Sequence, residues 1–470
     1  MKKIELLVYA VSVTAAFIAC SKIDQPVEEI SIPSDPPKEW KVSIQATKGD
    51  ANETKALSEN GNTITASWKE GDVVYICNNN YDYGQLKAQS DGDVTMLSGT
   101  VTRTMTVGKT YTLRYLQKGE NYLYLCTQKG TLEDIAKNHD MAEATVTVKS
   151  IDGDKVVFEE TSVQFESKVS ITKFTFDRKI KGLTIFCSNL KTYVRPGYTA
   201  NYGHVFLNLT EEVQTIYVAM STLEAKKATY LFLAKGTDDL YYSASKKAQL
   251  ENGKNYTASV NLLYYPDCVD LGIDRGGHSI CWGTRNLGAS GPGQIGDYYA
   301  WAETAPKSTY SWDNYAYGSY TLLTKYNDRS DLGVVDNRYS LEPGDDAATV
   351  KLGASWRMPS LDDFKDLLNS DKVEKMLTYC DGRWGYCFHS LISGHTDKFI
   401  FLPVTRGYVK EGSSTNTNWG CYWSNQIEQS SWTSSSFANY LKIQNSIYSS
   451  PETGMMERAY GLAVRAVHVE

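Results

Sequence analysis

Short stretches in which apolar and polar residues alternate recur along residues 64–262. In the clearest of them, Tyr256–Leu262, every second residue is apolar. Successive side chains of a β-strand point to opposite faces, so this pattern predicts strands with one buried face. Turn residues such as Lys69–Asp72 separate the stretches, as they do in β-sandwiches. One sandwich takes about 100 residues, and the segment therefore predicts two sandwiches in tandem.

The composition changes after residue 262, where eight of the ten tryptophans are found. One helix is predicted in this part: Ser360 can cap its N-terminus, with Asp363 three residues on. Within Leu361–Leu368 the apolar residues fall on one helical face. Asp345 and Asp346 predict the start of a second, shorter helix, because negative charge suits a helix N-terminus. Few other helical patterns occur, so the chain as a whole is predicted to be mainly β.

The N-terminus carries the features of an export signal. Two lysines precede an apolar run, Leu6–Ile18, that is too short to span a bilayer. Phe17–Cys20 resembles a bacterial lipobox, which implies removal of residues 1–19 and attachment of lipid to the Cys20 thiol. The proline-rich segment 20–42 is typical of an extended tether. An ordinary secretory signal that happens to contain Cys20 is the open alternative.

Charge and motifs argue against several classes of function. The formal net charge is −7 at pH 7, which is a poor match for nucleic acid or anionic lipid headgroups. Gly291–Gly296 matches GxGxxG, but Pro292 and the lack of a following helical pattern indicate a turn. His389 and His395 have no HExxH spacing, and no GxSxG occurs. We therefore predict no catalytic residue, no metal and no cofactor, and a protein that is not an enzyme.

Eight cysteines follow Cys20, and none forms a CxxC pair. Cys380 and Cys387 flank a short segment that could form a hairpin, so we predict a disulfide between them in an oxidising compartment. Cys268 and Cys281 are a second candidate pair. Three further cysteines lie in apolar, strand-like runs and are predicted to be buried free thiols: Cys77, Cys126 and Cys187.

Parts of the first 262 residues resemble fimbrillin-family proteins of the Bacteroidales type. The resemblance is carried by Thr54–Ser58 with Ile64–Tyr75, by Ser167–Phe176, and by Leu250–Leu262. Fimbrillins are pilus subunits, pilus anchors and related surface lipoproteins. The resemblance implies two transthyretin-like β-sandwiches, at residues 43–142 and 143–262.

The same resemblance bears on the position of the protein in a pilus. Polymerising fimbrillins are trimmed after an arginine near the N-terminus, but the first arginine after the signal is Arg103. The C-terminus is also occupied by a further domain. We therefore expect a lipid-anchored, surface-exposed protein of the cell outer membrane, which joins a pilus as anchor or tip and has pilus subunits as partners.

The remainder of the chain, residues 263–470, resembles the FISUMP-type domain. The resemblance implies an α+β fold related to C-type lectin and formylglycine-generating-enzyme-like modules. The oxidase relatives use paired cysteines near the end of their fold, where this chain has Cys421 alone. Four tryptophans lie inside the motifs and are assigned to the core: Trp282, Trp301, Trp356 and Trp423. The motifs are Val269–Gly272, Cys281–Ala289, Gly296–Thr304, Leu341–Ala348, Trp356–Ser360, Ile400–Pro403, Tyr422–Ser424 and Gly461–Arg465.

Three other tryptophans are candidate ligand-binding residues. Trp384, Trp419 and Trp432 stand in segments rich in Gly, Ser and Asn, where flat rings could stack on a glycan or anchor a protein of a host or bacterial surface. Packing in the core is the open alternative for these rings. The expected function is cell adhesion through carbohydrate or protein binding. The alternatives are a glycan-capture or enzyme-accessory surface lipoprotein outside any pilus, and an enzyme in the C-terminal domain.

Overall fold

The computed structural model describes most of the chain after residue 38. The signal peptide, the lipidation of Cys20 and nearly all of the tether are predictions that lie outside the described residues. The first strand begins at Trp40, so the predicted end of the tether at residue 42 is slightly too late. The described residues are 39–48, 58–60, 63–65, 67–79, 81–116, 123–195, 198–200, 203–275, 278–407, 418–427 and 435–469.

The fold is mainly β, as the sequence predicts. Within the described residues the helices are short, and none has the length and apolar character that a membrane crossing requires. The elements of the first third are β1 (Trp40–Lys48), β2 (Ser58–Asn60), β3 (Thr63–Thr65), β4 (Val73–Asn78), β5 (Tyr81–Ala88), β6 (Val94–Val101), β7 (Thr110–Leu116), β8 (Leu123–Tyr124), β9 (Thr127–Gln128), α1 (Leu132–Asn138), β10 (Met141–Asp152), β11 (Lys155–Phe158) and β12 (Ser162–Ser167).

The first sheet closes on itself. Among the described strands, eight follow the order β11-β1-β12-β10-β7-β4-β5-β6. β1 also pairs antiparallel with β6 from Trp40 to Thr47, so hydrogen bonds run round the sheet. Burial alternates along β1 and turns Val42, Ile44 and Ala46 into the core, which is the period expected of a strand with one buried face.

The predicted boundary between residues 142 and 143 is wrong. β10 pairs with β7, and β12 pairs with β1, so residues 141–167 belong to the first sheet. β9, which precedes these residues, instead pairs with β17 (His204–Leu207), a strand of the second domain. Alternation along a strand reveals its buried face but not its pairing partner, and for this reason the sequence pattern misplaces the boundary.

The second domain is built around β13, a strand of 17 residues. Its N-terminal half pairs with β18 and β21, and its C-terminal half pairs with β17 and β19. The register shifts between Thr175 and Ile180, where the chain carries charged residues. Among the described elements are β13 (Ser170–Phe186), β14 (Leu190–Lys191), β15 (Tyr193–Arg195), β16 (Tyr198–Ala200), β17 (His204–Leu207), β18 (Val213–Thr222), β19 (Lys227–Gly236), β20 (Tyr241–Gln249), β21 (Asn255–Val260) and β22 (Leu263–Tyr264).

In its described residues, the C-terminal domain combines short sheets with two α-helices and two 3₁₀ turns, at Trp312–Asn314 and Ser330–Leu332. Three of the four predicted core tryptophans are buried, at 282, 301 and 423, whereas Trp356 is half-buried. Its elements are β23 (Cys268–Arg275), β24 (His278–Gly283), β25 (Tyr298–Tyr299), β26 (Gly318–Ser319), β27 (Leu322–Leu323), α2 (Ala347–Leu352), β28 (Trp356–Arg357), α3 (Leu361–Leu367), β29 (Val373–Cys380), β30 (Arg383–Ser390), β31 (Phe399–Pro403), β32 (Trp419–Ile427), β33 (Phe437–Gln444), β34 (Glu452–Glu457), β35 (Leu462–Ala463) and β36 (Val467–Val469).

The disulfide joins Cys268 and Cys281, across the β23–β24 hairpin, with Cα atoms 5.4 Å apart. The prediction of a Cys380–Cys387 disulfide is therefore corrected, since both residues are buried free thiols. The β29–β30 hairpin does form between them, but its register places Cys387 opposite Met376 and Cys380 opposite Arg383. Cys77, Cys126 and Cys187 are buried free thiols, which confirms the prediction for these three.

The second and C-terminal domains share one hydrophobic core. Phe186 of β13 lies 5.5 Å from Phe399 and 6.4 Å from Phe401 of β31, measured between ring centroids. Tyr241 of β20 donates a hydrogen bond of 2.5 Å to Asp381 in the β29–β30 turn. Aromatic packing and a charged hydrogen bond thus join the two domains.

Candidate binding surface

Trp419 opens β32 and pairs with Gln444 at the end of β33. Lys442 Nζ lies 4.6 Å from the centroid of the Trp419 ring and also pairs with Glu452 at 3.0 Å. With its amide oriented to satisfy both neighbours, Gln444 accepts a hydrogen bond from Trp419 Nε1 at 3.0 Å and donates one to Ser449 Oγ at 2.6 Å. An ammonium near an aromatic face contributes roughly 0.5–1 kcal/mol at an exposed site, so the ring is held by several weak contacts.

The segment after β33, residues 445–450, is an ordered turn. The Asn445 N–H donates to the Asn418 carbonyl at 2.8 Å, and the Tyr386 hydroxyl donates to the Ser449 carbonyl at 2.8 Å. The Tyr448 N–H donates to Ser446 Oγ at 3.2 Å. These bonds fix the backbone on both sides of Tyr448, so the fold defines the point from which this side chain projects.

Tyr448 points into solvent from this fixed turn. Its side chain is 88% exposed, and that of its neighbour Ile447 is 43% exposed. A large ring held out by an ordered backbone is suited to binding, because it can bury much area at little cost in conformational entropy. We call the set formed by Trp419, Lys442, Gln444, Ile447 and Tyr448 the Tyr448 surface.

Two titratable groups beneath this surface are held in their neutral forms. Burial raises the pKa of the Tyr386 hydroxyl to about 12, so the group remains a hydrogen-bond donor at neutral pH. Burial also raises the pKa of the Cys421 thiol to about 12, although the Lys442 ammonium opposes this shift. A buried thiol that stays protonated is a poor nucleophile.

The tryptophans predicted to bind ligand have different positions. Trp419 belongs to the Tyr448 surface, and Trp432 lies outside the described residues. Trp384 packs edge-on against His204 of the second domain, at 5.5 Å, and against Tyr379, at 5.6 Å. These contacts fit the open alternative, packing at the domain junction, and a binding role for this half-buried ring stays a prediction.

Sequence reasoning missed Tyr448, Lys442 and Gln444. Tyr448 stands in the stretch Asn445–Ser450, which is rich in Ser and carries the same small polar neighbours that singled out the tryptophans. Applying that criterion to tyrosine would have found it. Lys442 and Gln444 offer no such signal, because their place beside Trp419 depends on the register of β32 and β33.

Carboxylate oxygens such as those of Glu342, Asp345 and Asp346 can bind a hard cation, but these residues are engaged in other contacts. Asp346 caps α2 by accepting hydrogen bonds from the Ala348 and Thr349 N–H groups, as the sequence predicts. Lys325 forms ion pairs with Asp345 and, at 2.7 Å, with Glu342. Burial acts to raise the pKa of Asp345, but hydrogen bonds from Lys325 and two tyrosines outweigh it and lower that pKa. Among the described residues, no group of three His, Cys, Asp or Glu side chains is arranged to hold a metal ion.

No protein-family model matches the chain, and no curated protein matches it. Solved structures of fimbrial and cell-adhesion proteins are similar to it at low identity. A Bacteroides uniformis protein with a provisional cell-adhesion assignment has 15% identity and a TM-score of 0.29, with 50% of this chain and 98% of that chain covered. A fimbrial protein from Bacteroides ovatus has 10% identity and a TM-score of 0.26, with 91% and 99% covered. The tip fimbrial protein Mfa3 from Porphyromonas gingivalis, truncated at its C-terminus, has 8% identity and a TM-score of 0.26, with 45% and 83% covered.

Proposed function

We propose that this chain is a surface lipoprotein that acts in cell adhesion, and that the Tyr448 surface makes the contact with its ligand. The observation that carries the proposal is the 88% exposure of Tyr448 on a turn fixed by hydrogen bonds. The protein acts by binding, without turnover. Lipid on Cys20 holds it to the outer membrane, and the C-terminal domain carries the recognition surface, with the FISUMP-type, lectin-like fold that the sequence resemblance implies.

A glycan is the favoured class of ligand. An aromatic ring stacks on the apolar face of a sugar, while amide and ammonium groups at its rim bond to the hydroxyls. Tyr448 supplies the ring, and Gln444 and Lys442 supply polar groups next to Trp419. A flat protein epitope would use the same rings with fewer of the polar contacts.

We further propose that the protein joins a pilus as anchor or tip and does not repeat along the shaft. β1 is paired with β6 over eight positions and with β12 over four, so its removal would open the first sheet. The first arginine after the signal, Arg103, lies beyond β1, and trimming there would detach this strand together with the lipid. Retention of β1 fits a subunit that keeps its anchor.

Binding of the full mature chain to a glycan array and to panels of surface proteins tests the recognition proposal. We expect Tyr448→Ala and Trp419→Ala each to weaken binding about tenfold or more, equivalent to about 1.4 kcal/mol, because each removes a central ring. Tyr81→Ala is the matched control, since Tyr81 is 61% exposed on the first domain. Unchanged binding by Tyr448→Ala, with the fold retained, would exclude the Tyr448 surface as the binding site.

Pilus association has a separate test. Filaments sheared from cells should carry the wild-type protein, whereas a Cys20→Ser variant should be lost from the membrane fraction. A protein that binds glycan and stays with the membrane, but never purifies with filaments, would instead be a glycan-capture or enzyme-accessory lipoprotein.

A further inference from the structure

A lysine and an aspartate meet in the core of the first domain. Lys48, the last residue of β1, is 3% exposed, and Asp72, directly before β4, is 4% exposed. Lys48 Nζ lies 3.6 Å from Asp72 Oδ2. Burying two charges costs several kcal/mol per ion. Water cannot offset this cost for a pair so deep in the core, so the presence of the pair there needs an explanation.

Aromatic rings enclose the pair and separate it from water. Lys48 Nζ lies 4.4 Å from the centroid of the Trp68 ring and 4.1 Å from that of the Tyr115 ring, and both side chains are fully buried. Phe165 stands opposite Lys48 in the β1–β12 pairing. Transfer of one proton from the ammonium to the carboxylate gives an amine and a carboxylic acid, the two groups that condense to an amide.

A second carboxyl group lies in the same core. Asp140, directly before β10, is fully buried. Burial raises the pKa of the Tyr115 hydroxyl well above its ordinary value, and the charges of Asp140 and Asp72 raise it further. Both carboxyl groups therefore act on Tyr115, whose ring also contacts the Lys48 ammonium.

We propose that Lys48 and Asp72 join in an intramolecular amide bond that fastens β1 to the start of β4. The neutral Lys48 amine attacks Cγ of the protonated Asp72 carboxyl, so that an N–C bond forms. The C–O bond to the hydroxyl then breaks, and this hydroxyl leaves as water with a proton from the nitrogen. Asp140 carries that proton. The step releases one water molecule and requires no oxidant, reductant or cofactor.

The backbone around Asp72 suits this chemistry. The Lys69 N–H donates a hydrogen bond of 3.0 Å to Asp72 Oδ2. A donor fixed at this oxygen stabilises the negative charge that develops on it during attack, as in an oxyanion hole. The amide product keeps one carbonyl oxygen, so the hydrogen bond from Lys69 is retained and Oδ1 is the oxygen that leaves.

The proposed bond has a mechanical consequence that goes beyond the adhesion proposal. β1 is the first strand after the predicted tether, so a pull between the lipid and a bound ligand enters the fold at this strand. β1 is held to β6 and β12 by strand pairing and by the packing of Val42, Ile44 and Ala46 in the core, and these contacts are all non-covalent. A covalent link from Lys48 to Asp72 would prevent β1 from peeling away beyond this point.

Mass spectrometry of the denatured, full-length mature protein tests the proposal directly. The expected mass is lower than the sequence mass by one water molecule, after allowance for the disulfide and for the lipid on Cys20. Proteolysis should then yield a branched peptide in which Lys48 is joined to Asp72. Lys48→Arg and Asp72→Ala should each restore the full mass, and Asp140→Ala should also restore it while both reacting residues are present.

The mass spectrum of the wild-type protein tests the Lys48–Asp72 amide bond even if a variant fails to fold. A full sequence mass, with Lys48 open to acetylation after unfolding, would show a plain ion pair and overturn the proposal. A branched peptide linking Lys48 to a residue other than Asp72 would also overturn it.

Discussion

The carboxylate of Asp134 forms hydrogen bonds with residues that lie before α1 and at its C-terminal end. It accepts hydrogen bonds from the Lys129 N–H at 2.7 Å and from Asn138 at 2.8 Å, and it faces His139 Nε2 at 3.2 Å. Burial acts to raise its pKa, but these hydrogen bonds outweigh burial and lower the pKa to about 2. The carboxylate thus fixes the segment that leads from α1 back into β10.

The lowered pKa of Asp134 predicts a dependence of stability on pH. A carboxyl group with a depressed pKa in the folded state stabilises the protein above the unfolded pKa, and this stabilisation is lost as pH falls through the folded value. Between about pH 4 and about pH 2 we expect a loss of roughly 2 kcal/mol in the free energy of unfolding. In the Asp134→Asn variant, most of this pH-dependent decrease in the free energy of unfolding should be absent. Urea unfolding across that pH range measures it. Asp93→Asn, a substitution at an exposed position, should retain it, and equal profiles for both variants would contradict the prediction.

A buried polar side chain can also satisfy hydrogen-bond acceptors within the core. Arg458 is fully buried and donates to the carbonyls of Lys325, Tyr326 and Ser435, and to the Tyr315 hydroxyl. Its guanidinium lies 4.8 Å from the Trp301 ring centroid. Such a residue satisfies several buried acceptors at once, which an apolar side chain could not do.

At the scale of elements, hydrogen bonds in the first turn of α3 fix where this helix begins. Ser360 Oγ accepts a hydrogen bond from the Asp363 N–H at 3.1 Å, and Asp363 accepts one from the Ser360 N–H at 2.7 Å. Arg357 adds an ion pair to Asp363 at 2.6 Å. The predicted capping box is thereby confirmed, and Phe364 and Leu367 lie on the buried face.

This arrangement predicts unequal effects of two substitutions. Ser360→Ala should lower the free energy of unfolding by about 1 kcal/mol, the usual cost of losing an N-cap. Asp363→Ala should cost more, because the ion pair between the buried Asp363 and the half-buried Arg357 is lost together with the cap. Chemical denaturation measures both, with Lys365→Ala on the exposed face as the control, expected to stay within about 0.5 kcal/mol of wild type. A Ser360→Ala cost equal to or above that of Asp363→Ala would contradict this reading of the cap.

At the scale of the whole molecule, a packed junction couples the second domain to the C-terminal domain. Phe186 is fully buried between the two and contacts both phenylalanines of β31. Tyr265 reinforces the junction by donating a hydrogen bond of 2.9 Å to the Phe399 carbonyl. The last domain, which carries the proposed Tyr448 surface, is therefore joined to the second by a packed core.

Phe186→Ala should uncouple the two domains. The substitution should cost about 3–5 kcal/mol, and the C-terminal domain should then unfold separately from the second. Tryptophan fluorescence reports mainly on the C-terminal domain, whereas far-ultraviolet circular dichroism reports on the whole chain. The two unfolding curves should coincide for wild type and for Phe174→Ala, a buried ring within the second domain alone, but separate for Phe186→Ala. Coincident curves for Phe186→Ala would refute the coupling.

The sequence by itself determined the features that depend on neighbours along the chain. Alternation with a period of two marks the buried faces of strands such as β11 and β21, and local hydrogen-bonding residues mark the cap of α3. The three buried thiols follow from their apolar surroundings in the sequence, and the three buried tryptophans follow from the motifs that resemble the FISUMP-type domain.

Only the tertiary structure decided which segments meet. A strand's pattern is the same whichever strand it pairs with, so the return of β10–β12 to the first sheet could not be deduced from alternation. Register separates Cys380 from Cys387 while Cys268 meets Cys281, and tertiary packing half-buries Trp384 but leaves Tyr448 exposed. Pairing, register and burial between domains are set by contacts among residues distant in sequence, and local patterns carry no record of those contacts.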